Sequence, residues 1–252
     1  MIYVLLIIIG LILGSFFLVI ATRMPNEESV IFSRSHCDNC KHILKWYELI
    51  PLLSYIIQKG RCKKCGARIS FLAPLSELYM AASLSAAYYI YGISYSFFTI
   101  SILLSIMLII FVSDFKYFII NDEPLFASII AVLVLKYIYF GLKPLGLAIL
   151  SGMAMFFIFY FVKVFGDKAF KKESLGGGDI KLAILIGVVL GVKLGLTAFI
   201  ISAFIALPYA VIASKKNKEG LVPYGPFLII SLVIVFIFMN NFIDIINYLF
   251  AF

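Results

Sequence analysis

Two carboxylates in this 252-residue chain stand where an ionised group is expensive. Asp114 ends a long apolar run, in Ser113-Asp114-Phe115-Lys116, and Asp179 opens another, in Gly176-Gly177-Gly178-Asp179-Ile180-Lys181. An ionisable group at the mouth of a membrane-length segment points to use. The three glycines let the backbone turn tightly and let another chain come close. Two aspartates brought together cannot both ionise cheaply, so the pair shares a proton. The ionised member can take a proton from water, which attacks a carbonyl; the protonated member polarises that carbonyl and helps the amine leave. The chemistry this predicts is peptide hydrolysis at a membrane surface. No serine or cysteine with a positioned histidine base competes with it, and a nucleotide-binding reading of the glycines lacks the βαβ context it needs.

The four cysteines form a second constellation, as Cys37-Asp38-Asn39-Cys40 and Cys62-Lys63-Lys64-Cys65. Two C-x2-C knuckles in one loop read as a tetrahedral thiolate site for zinc, since each two-residue gap lets both sulfurs of a knuckle reach one ion. A loop this small buries little core, so a metal staple is physically sensible. Reactive or unmetallated thiols are the alternative. His36 and His42 flank the first knuckle and read as bystanders, because four sulfurs already complete the sphere.

The elements that must carry these groups are membrane helices. With 63% hydrophobic and 13% charged residues and a mean hydropathy of +1.10, too little polar surface remains to cover a soluble fold. Runs near 1–21, 74–92, 96–113, 124–142, 145–165, 180–194, 195–214 and 224–250 approach the length a crossing needs, about 20 residues. Eight spans are expected, the 180–194 run being the shortest. The first run lacks a preceding basic residue and a cleavage site, so it reads as a retained helix rather than a signal peptide. With the N-terminus outside, nine of the 21 basic residues fall in the 21–73 loop. Nine more fall at other cytoplasmic ends, Lys172 and Lys218 among them; only Lys136, Lys143 and Lys193 lie towards the outside. That distribution obeys the positive-inside rule. It also explains the net charge of +8 through topology and contact with anionic membrane lipids, with no nucleic-acid partner.

Smaller signals complete the pattern. Gly10 and Gly14 read as a close packing face, and Gly187, Gly191 and Gly195 as a smooth stripe on one helix. The run from Trp46 to Tyr55 reads either as an interfacial segment or as a small core around the metal. Asp122 and Glu123 read as a solvated cap, with Pro124 at a natural first helical position.

Taken in order, these residues resemble the type IV prepilin leader peptidases over nearly the whole length. The resemblance rests on Gly14-Ser15-Phe16, Arg23-Met24-Pro25, the paired knuckles, the Trp46-to-Ser54 run and Gly60-Arg61-Cys62. It continues through Pro74-Leu75-Ser76-Glu77, the Gly-x-Gly-Asp element at 176–179 and Pro223-Tyr224-Gly225-Pro226-Phe227. It implies catalytic roles for Asp114 and Asp179. It places Ile120-Asn121-Asp122 where the family carries an apolar-Pro-Asp triplet, Asn121 replacing the usual proline. The substrate implied is a prepilin or pseudopilin with a short basic leader, cut after a glycine on the cytoplasmic side of a bacterial inner membrane. Family members with this cysteine loop also N-methylate the new N-terminus with S-adenosylmethionine, and Glu48 and Glu77 are the candidates for that site. The organisation expected is a first transmembrane helix at 1–21, a zinc-binding loop domain at 22–73 and an all-α peptidase domain at 74–252. A signal-peptide-peptidase-like enzyme would not predict the knuckles. A zinc-bearing transport or assembly protein would need polar residues mid-membrane.

Overall fold

The structure, a computed structural model, describes residues 1–30, 33–37, 39–171, 174–216 and 222–249. Lys172 and Lys218 lie outside the described residues. The described residues hold helices and no named strand, so the all-α expectation is met. The chain falls into two compact units, Met1–Phe97 and Phe98–Phe252.

The first unit contains α1 (Ile2–Arg23), α2 (Leu53–Ile57) and α3 (Leu72–Tyr91), with the cysteine loop between α1 and α3. α1 and α3 pack backbone to backbone. A Cβ on Gly10 would lie 2.5 Å from Cα of Ala81, and one on Gly14 would lie 2.4 Å from the carbonyl oxygen of Ser76. In lipid such close approach supplies the van der Waals contact that holds helices together, since hydrophobic burial gains little there. The order of contacts, Gly10 on Ala81 and Gly14 on Ser76, makes the pair antiparallel.

The second unit takes nearly all of α4 (Tyr95–Tyr117), then α5 (Asp122–Phe140), α6 (Leu142–Phe170), α7 (Gly177–Lys216), α8 (Gly225–Ile237) and α9 (Met239–Leu249). Among the described residues five stretches are long and apolar enough to cross a membrane: Ile2–Asn26, α4, α5, Leu142–Ala169 and Gly177–Ala213. α8 and α9, bent by 84°, make a sixth if they form one broken span. The eight expected crossings therefore do not emerge. α3 is less apolar than these five, because serines, tyrosines and Glu77 dilute its run, although its 20 residues lie antiparallel to α1; 180–194 and 195–214 fall on the single element α7.

α7 is not straight. Gly191 has φ +76° and ψ 176°, far from helical values. On a straight helix Ile186 and Gly195 would stand about 13 Å apart at 1.5 Å per residue. Instead, a Cβ on Gly195 would lie 3.4 Å from Cγ2 of Ile186. The chain folds back at Gly191. Contacts with α6 fix the directions: Gly166 meets Ser174 and Gly152 meets Val188, after which Gly195 meets Met155 and the Phe199 ring sits 4.6 Å from that of Phe159. Residues 177–190 thus run antiparallel to α6 and residues 192–216 run back along it. The short arm rises about 21 Å, less than the roughly 30 Å of a bilayer core. The expected single-faced stripe of Gly187, Gly191 and Gly195 is broken by the same turn. Gly187 instead lets the backbone of Ser151 come within 2.4 Å of where its Cβ would be.

Candidate active site and metal centre

Asp114 lies in the last turns of α4 and Asp179 in the first turn of α7. Both are buried, with 6% and 7% of their surface exposed. The Oδ2 of Asp114 accepts the backbone N–H of Gly225 at 3.1 Å. The Oδ2 of Asp179 accepts the N–H of Gly176 at 3.2 Å. One side chain ties the two segments together. A Cβ on Gly178 would lie 2.9 Å from Cβ of Ile120, and a Cβ on Gly225 would lie 2.7 Å from its Cδ1. Ile120 therefore fills the space that both glycines leave open, and the aspartates lie within range of each other's charge. Neither carboxylate has an ion-pair partner within 4 Å among the described residues.

An aromatic cluster flanks this pair. Phe115, Tyr209 and Phe227 hold ring centroids 5.6 to 6.4 Å apart. The hydroxyls of Tyr224 and Ser202 bond at 2.6 Å. The motif Pro223 to Phe227 was legible in the sequence, but its service to Asp114 through the Gly225 amide was not. Asp122 and Glu123 open α5 as expected. What the sequence did not reveal is that both oxygens of Asp122 accept the Lys181 ammonium, at 2.6 and 2.7 Å. Asn121 precedes α5 in extended conformation, φ −69° and ψ 130°, a geometry that proline also adopts.

In the first unit the knuckles are near copies of each other. The N–H of Cys37 donates to His42 and that of Cys62 to Ala67; the N–H of Lys41 returns to Cys37 and that of Gly66 to Cys62. These turns bring the four sulfurs of Cys37, Cys40, Cys62 and Cys65 within 4.8 Å of one another. The Cys37 and Cys65 sulfurs stand 3.8 Å apart, far beyond disulfide length. Four thiolates at about 2.3 Å from a tetrahedral zinc have edges of about 3.8 Å. The cluster can therefore hold a metal ion, and its donors suit zinc. Backbone N–H donation from Ala67, with help from the Asn39 amide, draws the Cys65 thiol down to about 6. Cys40 is held up at about 11, because the His42 N–H lowers it by less than lost hydration and the neighbouring thiols raise it. Without a cation the four cannot all ionise together; a divalent ion removes that conflict. Neither histidine is in the four-sulfur group, and His42 faces Glu48 at 3.6 Å.

Glu48 and Glu77 are both buried. One oxygen of Glu48 accepts the N–H of Lys45 at 2.9 Å, and one of Glu77 accepts that of Leu52 at 2.8 Å. Leu52 has φ +59°, so this bond holds a strained turn of the loop. Trp46, 77% exposed, and the exposed Leu53, Ile56 and Ile57 do not pack as a core around the sulfurs.

Comparison with known proteins adds to this geometry. The model of the bacterial peptidase A24 N-terminal domain matches residues 8–91, and that of the type IV leader peptidase family matches residues 101–211. A prepilin leader peptidase/N-methyltransferase of Bacillus subtilis is 35% identical over 242 residues, covering 95% of each chain. The chain belongs to the type IV leader peptidase family. Another prepilin leader peptidase/N-methyltransferase of this family, from Vibrio cholerae, is 34% identical over 91% of this chain and 94% of its own. A type 4 prepilin-like proteins leader peptide-processing enzyme of Escherichia coli is 29% identical over 87% of each. No solved structure matches. Family membership makes the chain a peptidase of a multi-pass membrane type.

Proposed function

We propose that this chain is an aspartyl endopeptidase that removes the leader of prepilins or pilin-like proteins, with Asp114 and Asp179 as its catalytic pair. The observation that supports the reading is that two buried carboxylates each accept a glycine N–H, with Ile120 packed against both Gly178 and Gly225. The pair holds one proton between them. One carboxylate draws a proton from water as it attacks the scissile carbonyl, and the other donates its proton to the carbonyl oxygen and then to the leaving amine. The Gly225 and Gly176 amides fix the oxygen that each carboxylate turns away from the substrate. Burial keeps bulk water out, which strengthens every interaction of the developing charge.

The site belongs on the cytoplasmic side of a bacterial inner membrane, with the N-terminus outside; the concentration of basic residues in the 21–73 loop supports this. We assign zinc to Cys37, Cys40, Cys62 and Cys65 as a structural ion closing the 22–73 loop. N-methylation with S-adenosylmethionine, which supplies an electrophilic methyl group, rests on the name its relatives carry. Glu48 and Glu77, the candidates for that site, each accept a loop amide with one oxygen.

The test is cleavage of a pilin-like precursor by purified protein, wild type beside Asp114→Asn and Asp179→Asn, with product mass read at the new N-terminus. Cleavage after a glycine by the wild type and by neither variant is expected. Near-normal cleavage in either variant would overturn the pair. A further methyl mass that depends on added S-adenosylmethionine would add the second activity.

A further inference from the structure

α5 touches the short arm of α7 at both ends. At the near end Asp122 pairs with Lys181, two residues beyond Asp179. At the far end the Nζ of Lys136 donates to the carbonyl oxygen of Val189 at 3.4 Å. Val189 lies two residues before the break at Gly191. The last carbonyls of a helix have no partner within it and carry the negative end of its dipole. In lipid such an orphan is costly, and so is a lysine within an apolar membrane-length helix; such lysines pair with one another's opposites or with backbone carbonyls. Each group here answers the other's need. An apolar side chain would fill the same space at less cost in lipid, so the cation itself requires an explanation.

The short arm has Asp179 in its first turn and the Lys136 contact near its last residues. Its length falls short of a full crossing, so lipid does not fix its depth through ends anchored at both surfaces. We propose that Lys136 is a positioning residue of the peptidase site: by capping the broken end of the arm it sets the depth at which Asp179 faces Asp114. This rests on the aspartyl reading above. Asp179 and the Val189 carbonyl that Lys136 meets lie near opposite ends of one helical segment, so sliding of the arm along α6 would move Asp179 directly. The glycine contact of Gly187 on Ser151 fixes how closely the arm lies on α6, while the Lys136 bond, with the Asp122–Lys181 pair at the near end, fixes its register against α5.

The experiment compares wild type with Lys136→Met, Lys136→Arg and Lys136→Gln. Two quantities are read: precursor cleavage, and hydrogen exchange by mass spectrometry over residues 177–190. Lys136→Met keeps an unbranched side chain one atom shorter and removes the charge. It is expected to lower kcat by about tenfold or more with KM within about twofold, as for a small misplacement of a reacting group. Exchange in the arm should rise at the same time. Lys136→Arg, still a cationic donor, should recover most of both. A Met variant with wild-type kcat and wild-type exchange overturns the proposal, as does an Arg variant as impaired as the Met variant. Should the Met variant fail to fold, Arg and Gln carry the test: protection of the arm kept with Arg and reduced with Gln supports the cationic cap, and wild-type protection with Gln, or loss of protection with Arg, overturns it. If the wild type itself cleaves no precursor, the peptidase reading fails separately, and hydrogen exchange alone decides whether Lys136 holds the arm.

Discussion

Asp114 Oδ2 takes the backbone N–H of Gly225 at 3.1 Å, although 111 residues of chain separate them. A Cβ at position 225 would stand 2.9 Å from that same oxygen and 2.7 Å from Cδ1 of Ile120. Only glycine lets the start of α8 come this close to the carboxylate. The Gly225→Ala variant should fold but lose about tenfold to a hundredfold in kcat, the range expected of a roughly 1 Å displacement at a reacting group. Wild-type turnover by a variant with an unchanged melting temperature would show that the contact does not position Asp114.

Asp122 lies close in sequence to Asp114 and is the obvious rival for the second catalytic place. Its pair with Lys181 is 47% and 39% exposed on the two sides, so it stabilises by at most about 1 kcal/mol. Asp122→Asn should keep activity within severalfold of wild type. Loss as complete as in Asp114→Asn would move the catalytic role from Asp179 to Asp122.

The sulfur cluster predicts about one zinc per purified chain. Cys62→Ser, which removes the buried member of the set, should release the metal and speed hydrogen exchange across residues 33–71. Protein that is metal-free as isolated, with those amides still protected, would remove the metal from the loop's account.

Gly191 offers a test of the fold-back with no steric confusion. Nothing lies within 4 Å of its absent Cβ, so Gly191→Ala is penalised only through its φ of +76°. The expected loss is about 1–3 kcal/mol of stability, typical of a side chain forced into a glycine conformation. Gly146, also with open space around it but with no positive φ, is the control: alanine there should be neutral or stabilising by up to about 1 kcal/mol. Equal melting temperatures for the two variants would mean that the chain does not need the turn at Gly191.

Much of this molecule was legible in its chain. Composition alone set a helical membrane protein, because a backbone in lipid must satisfy its own polar groups. The C-x2-C spacing set the sulfur cluster, because a knuckle of that length brings both thiols of a pair together without help from distant residues. The two aspartates were visible because an acid beside an apolar run is expensive wherever the chain goes. Periodicity misled where the decisive event was local. Gly187, Gly191 and Gly195 keep helical spacing, so the sequence read one smooth face; the turn at Gly191 gives one arm to Ser151 and the other to Met155. The remaining features belong to tertiary structure, since they join residues whose separation carries no pattern. Ile120 between Gly178 and Gly225, the Gly225 amide on Asp114 and the Lys136 ammonium on Val189 are each set by which helices become neighbours. Sequence fixes which groups need a partner; packing alone decides which partner each one meets.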